Sequence, residues 1–218
     1  MGVTIHYRGR LDDAGQLPNL CEELIAISDG MHWQTTRLDD DWEIVPDARL
    51  EHGPRGAEII GHLGLKGLLI SPDDHTEPIS FLFDREGNLR SFMDTIFIIE
   101  GSLKPEDAWV FVKTQFGSPE THAWIVGLLR YIKKKYISNL EVQDEGEYWE
   151  TGDIAVVKKK MDFINEKIGH LAKELSSSRF SGAADLSAEQ IADRIEEFLR
   201  NEAGEDSDSK DTGEEFNS

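Results

Sequence analysis

The stretch Ile79-Ser80-Phe81-Leu82-Phe83-Asp84-Arg85-Glu86-Gly87-Asn88-Leu89-Arg90-Ser91-Phe92-Met93 reads as two strands around a tight turn. The first arm is a short, almost uninterrupted apolar run. Asp84-Arg85-Glu86-Gly87 then supplies an acid able to bond its own backbone and a glycine free to take positive φ, which is hairpin chemistry. The second arm, residues 88–93, is expected to return antiparallel to the first. A local hairpin of this kind, set among helical segments, argues for an α+β fold.

Outward from the hairpin, the chain begins with a strand. Val3-Thr4-Ile5-His6-Tyr7-Arg8 alternates strictly, so Val3, Ile5 and Tyr7 share one face and Thr4, His6 and Arg8 the other. A helix follows from about Pro18 through Leu20, Leu24 and Ile27, stopping near Asp29-Gly30. Residues 33–38 form a second strand that runs into the acidic cluster Asp39-Asp40-Asp41-Trp42-Glu43. Residues 46–67, rich in glycine and proline, read as a long connection with room for a short strand, and Leu68-Leu69-Ile70 as a buried strand.

The second half repeats the opening plan. Residues 109–114 form a strand. Ser118-Pro119-Glu120 starts a helix, with Ser118 as cap, Pro119 in the first turn and Glu120 at the positive end of the dipole. Residues 140–143 form the next strand, ending in Asp144-Glu145-Gly146-Glu147-Tyr148-Trp149-Glu150. An offset of 107 places Val3 on Val110, Ile25 on Ile132 and Trp42-Glu43 on Trp149-Glu150. This order admits a duplicated βαβ unit, although four identities also fit chance recurrence of a common motif.

Ile154, Val157, Met161, Ile164, Ile168, Leu171 and Leu175 are spaced alternately by three and four residues, a heptad seam on one long helix. Packing across the domain is the favoured reading, and a homodimer through residues 154–175 is the alternative. Residues 176–186 read as a linker. Ser187-Ala188-Glu189-Gln190 is a capping box opening a short amphipathic helix over 187–200. Residues 201–218 carry seven acids against Lys210 and are expected to be a disordered acidic tail.

The 218-residue chain has 43 acidic against 23 basic residues, a formal net charge of −20. That excess argues against direct binding to nucleic acid or to an anionic bilayer. Cys21 is the single cysteine, which excludes an intrachain disulfide and Cys-rich metal sites. No secretory signal pattern and no membrane-length apolar run is evident, so a cytoplasmic location is expected.

The chemistry-bearing motifs are sparse. Seven histidines include no HExxH or HxH spacing. Asp73-Asp74-His75 with Glu77 offers ligands for a divalent ion only if another segment adds more, and a solvated turn is the simpler account. The glycines between 53 and 67 match neither a Walker loop nor a dinucleotide fingerprint. No GxSxG elbow is present, and Cys21 lies in a helix without a histidine at motif spacing. No metal or cofactor is therefore expected. Asp39, Asp41, Glu43, Glu147 and Glu150 are candidate carboxylates in two acidic loops, with a solvated role favoured over catalysis.

One constellation stands out. The strand faces that carry Thr4, His6 and Arg8, together with Lys113 and Gln115, are expected to form a polar sheet surface opposite the helices. The following strands would add Gln34, Thr36, Glu141 and Gln143. His6, Arg8, Lys113 and Gln115 are then candidates for contacting an anionic ligand or a partner's acidic loop, against the alternative of a plain solvent-facing sheet.

The segments VTIHYRGRLDD, SFLFDREGNLRS, VKTQFGSPETH and DEGEYWETGD are together similar to a family of bacterial proteins of unknown function, over about residues 1–175. The resemblance implies a bacterial cytosolic origin and brings no activity, cofactor or catalytic residue. The expectation is an α+β domain over 1–175, built on a mixed, largely antiparallel sheet with its helices mainly on one face. Its leading function is a non-catalytic protein-interaction or regulatory module. The alternatives are a small-ligand or metal-dependent enzyme that uses the polar face, and an acidic mimic of nucleic acid.

Overall fold

The computed structural model describes residues 3–53 and 56–176, with side chains through Gly169. The short helix expected over 187–200 and the acidic tail expected over 201–218 lie outside the described residues, as does the linker beyond Ser176. The chain divides into two compact units, residues 1–165 and 166–218. No helix among the described residues is long and apolar enough to cross a membrane.

Three antiparallel sheets carry the first unit. One orders its strands β8-β1-β9, from β1 (Thr4–Arg8), β8 (Val110–Lys113) and β9 (Glu141–Asp144). A second orders them β2-β5-β6-β7, from β2 (Gln34–Asp39), β5 (Lys66–Ser71), β6 (Ile79–Phe83) and β7 (Leu89–Arg90). The third is a hairpin of β3 (Arg49–Gly53) and β4 (Gly56–Ile60). The α+β class and the antiparallel pairing are as the sequence predicts. The expected single mixed sheet resolves into these three.

The main core is shared by both larger sheets. Ile5 and Tyr7 from β1 and Phe81 and Phe83 from β6 pack with α1 (Leu17–Met31) and α3 (Pro119–Lys135). α3 starts as the sequence predicts: the Ser118 Oγ accepts from the Thr121 N–H at 3.0 Å, with Pro119 in the first turn. A smaller cluster joins Val3 to Val157 and Met161 of α5 (Ile154–Ser176).

The repeat is only partial. β8, α3 and β9 form a split crossover, because β8 and β9 both pair antiparallel with β1 between them. The first copy does not return to its sheet: α1 leads from β1 into β2, at the edge of the other sheet. Gln34 and Thr36 therefore lie on a different sheet from His6 and Arg8.

Two elements depart from expectation. The hairpin's second arm stops at Arg90, and α2 (Phe92–Ile99) follows behind Ser91, whose side chain accepts from the Asp94 N–H at 3.1 Å. The sequence Phe92-Met93-Asp94-Thr95-Ile96-Phe97-Ile98-Ile99 is apolar nearly all round and gives no helical period. The connection over 46–67 contains the β3–β4 hairpin, whose residues are mostly exposed on both faces and so leave no alternation to read.

Candidate functional site

The polar face predicted for β1 is present and uncovered by the main core. Register sets Lys113 beside Thr4, Phe111 and Gln143 on either side of His6, and Glu141 beside Arg8. The face is more aromatic than its strand alternation suggested. Phe111 is 51% exposed and its ring centroid lies 6.1 Å from that of His6. The Arg8 guanidinium sits 4.4 Å above the Trp109 ring while its Nη2 donates to Glu141 at 2.8 Å. Lys113 Nζ lies 5.4 Å from the centre of Phe116, itself 57% exposed. Each cation of the face thus has an aromatic neighbour, an arrangement favourable by roughly 0.5–1 kcal/mol per pair at exposed sites.

Gln115 is not on this face. It is 1% exposed, its Oε1 accepting from the Val3 N–H at 2.9 Å and its Nε2 donating to the Met161 carbonyl and to Asn165. The strand β8 has ended by then, so the alternation that placed Gln115 outside no longer applies. Its role is to tie β1 to α5.

The acidic candidates are engaged locally. Asp39 pairs with Lys66 at 3.1 Å, Glu43 with Arg85 at 3.5 Å and Glu147 with Lys160 at 2.8 Å. Asp41 accepts the Glu43 N–H within its own turn, and Glu150 is exposed on α4 (Tyr148–Thr151). Among the described residues no three His, Cys, Asp or Glu side chains are grouped to hold a metal ion.

A buried polar chain was not foreseen. Thr114 Oγ1 lies 2.7 Å from His122 Nδ1, and His122 Nε2 lies 3.0 Å from Asp144 Oδ1. Asp144 also accepts the N–H groups of Gly146 at 2.7 Å and Trp149 at 2.9 Å. An ionised carboxylate only accepts, so Nε2 carries the proton it shares with Asp144. Burial pushes the Asp144 carboxyl up, but His122 and the two N–H groups outweigh it and hold it below the ordinary aspartate value. The order Thr-His-Asp resembles a nucleophile relay, yet Thr114 and His122 are 0% exposed. A substrate has no route to the hydroxyl, and the chain serves as a clamp between β8, α3 and β9. No spacing motif links these positions, which come together only through the crossover.

Two clefts adjoin at Asn88 and Arg90, the second of them between β7 and the end of β1. One, of about 470 Å³, has apolar walls from Trp42, Ile44, Val45, Leu63, Ile98 and Ile99 and a charged rim from Glu43, Asp84, Arg85 and Glu86. The second, of about 290 Å³, is lined by Arg8, Arg10 and Arg90 with Asn88 and Asn139. Asn88, Arg90 and Pro105 line both. Leu89 N–H donates to the Gly9 carbonyl at 2.9 Å, and Arg10 and Asn88 form an isolated bridge, so the hairpin turn and the end of β1 are fastened there.

In comparisons with known proteins, no family, no curated protein and no solved structure matches the chain.

Proposed function

We propose that this chain is a non-catalytic protein-interaction module that receives a partner on the open face of the β8-β1-β9 sheet. The observation that carries this reading is Phe111, half exposed on the outer strand β8 and bordered by His6, Trp109 and Lys113. Exposed aromatic and arginine side chains on a rigid sheet have the composition of binding hot spots. The main-chain N–H of Lys113 donates to Glu77 Oε2 at 3.0 Å, and its carbonyl accepts the Glu77 N–H, which holds that strand end in place. A fitting partner lays an apolar side chain over Phe111 and an acidic one beside Lys113 and His6. Arg8, already paired with Glu141, orders the surface by stacking on Trp109. A reducing compartment, the bacterial cytosol implied by the sequence resemblance, suits the free thiol of Cys21.

The test is a photoreactive residue at position 111 in cells, against a control at the exposed Lys134. The partner joined at 111 is then purified and its affinity measured. Phe111→Ala and Lys113→Ala are expected to weaken it about tenfold or more, as truncated hot spots do. Equal crosslinking at 111 and 134, or unchanged affinity in both variants, overturns the reading.

A further inference from the structure

We propose that the double cleft around Arg90 is a binding site for an amphipathic monocarboxylate, its apolar body between Trp42, Ile44 and Ile98 and its carboxylate on Arg10 and Arg90. This site touches the Phe111 face only at Arg8 and Glu141, and the residues assigned to the ligand lie off that face.

The two arginines are held ready. Arg10 is fixed at both ends: its N–H donates to Asn139 Oδ1 at 3.0 Å and its Nε to the Glu86 carbonyl at 2.8 Å. Its two terminal nitrogens have no partner among the described residues. Arg90 is 8% exposed, with Nε on Asp84 at 3.0 Å and Nη1 on the Pro105 carbonyl at 3.0 Å, while Nη2 has no described partner. A guanidinium immobilised before the ligand arrives loses little further entropy, and its fork matches a carboxylate.

Charge selects the class of anion. Arg8 is neutralised by Glu141 and Arg90 by Asp84, whereas Arg10 has no carboxylate within ion-pair distance. Glu106 also lines this cleft and Glu86 the adjoining one, so Arg10 has charge for at most one carboxylate. One unpaired guanidinium suits a monoanion better than a phosphate dianion, and the acidic chain around it reinforces that choice.

The adjoining cleft selects the rest of the ligand. Ile44 and Val45 are 51% and 81% exposed, and Ile98 and Ile99 face the same space. Trp42, which lines that wall, has its Nε1–H buried without a hydrogen-bond acceptor among the described residues. A cleft of about 470 Å³ lies in the range used for small ligands and short peptide ends. The carboxylate arrives either on a small molecule or at the C-terminus of a peptide ending in an apolar residue.

The experiment titrates the full chain with 4-phenylbutyrate and, separately, with an acetylated tetrapeptide ending in Leu-Phe. Each is matched by its C-terminal amide, with calorimetry and amide and indole NMR shifts as readouts. At least one acid is expected to bind, shifting the Trp42 indole signal, with its amide about tenfold weaker or more. Binding by phenylbutyrate alone identifies a small-molecule site, and binding by the peptide alone a protein C-terminus. Arg10→Met and Ile44→Glu, both at exposed positions and each checked for a parent-like melt, are expected to weaken binding about tenfold, whereas Phe111→Ala leaves it unchanged. Absence of binding by either acid, equal binding of acid and amide, or indifference to Arg10→Met overturns the proposal. Because Arg10 and Ile44 lie off the sheet face, their variants are expected to keep partner affinity, so either reading can fail without the other.

Discussion

The Tyr7 hydroxyl donates to the Ser80 carbonyl at 2.8 Å and accepts from the Ser80 N–H at 3.0 Å. Continuing the β6–β7 register from Leu82 opposite Arg90, the partner of Ser80 would be Phe92, which instead begins α2. The phenol occupies the place of a missing strand residue and joins the two larger sheets. Burial pushes the Tyr7 hydroxyl far above its ordinary pKa, with the bond from the Ser80 N–H only partly opposing this, so it stays a neutral donor.

Tyr7→Phe keeps the ring in the core and removes both bonds, leaving a buried N–H and a buried carbonyl without their partner. A loss of roughly 2–4 kcal/mol is expected from urea unfolding, with an unchanged m-value. A change under about 1 kcal/mol would show that water reaches Ser80 and that the phenol is not the link between the sheets.

Asp144 gives the fold an acid-sensitive point. Its carboxyl is depressed in the folded state below the ordinary value of 3.8. A depressed carboxylate contributes stability that is fully present above the unfolded value and is lost as pH falls through the folded one. Thermal melts from pH 6 down are therefore expected to drop below about pH 4. Asp144→Asn should be destabilised at pH 6 and should lose part of that drop. Parallel acid profiles for both proteins would remove Asp144 from the account.

Gly67 lies inside β5 with φ at +140°, and a Cβ there would stand 2.0 Å from the Phe81 carbonyl oxygen on β6. Backbone, not a flexible side chain, is what it would strike. Gly67→Ala is expected to cost about 3 kcal/mol or more, combining strain with a broken strand pair. Gly30→Ala, with nothing within 4 Å, supplies the control and should melt close to the parent.

What the sequence reveals follows from how local each signal is. Alternation over Val3–Arg8 places Ile5 and Tyr7 inside and Thr4, His6 and Arg8 outside, as observed. Ser118-Pro119-Glu120 marks the start of α3 because a helix cap is read from three adjacent residues. Gln115 misleads for a tertiary reason: α5, 46 residues later at Met161, folds back over it. The arginine cleft is illegible for the same reason, since Arg10 and Arg90 meet only because the Asp84–Gly87 turn packs on the end of β1. Neither His122 nor Asp144 announces the other, 22 residues apart across the crossover.

The heptad seam of α5 divides in a way spacing alone does not show. Val157 and Met161 are 0% and 3% exposed and pack with Val3, whereas Ile168 is 44% exposed. Val157→Asp puts an unpaired carboxylate in that cluster and is expected to cost several kcal/mol. Ile168→Asp meets water and should fall within about 0.5 kcal/mol of the parent. Melting both variants at protein concentrations a hundredfold apart, alongside sedimentation, separates the two uses of the helix. A loss in Ile168→Asp that grows with concentration, together with a dimer in the parent, would mean that the exposed half of the seam pairs with a second copy. Equal behaviour at both concentrations leaves α5 a helix whose first half alone holds the fold.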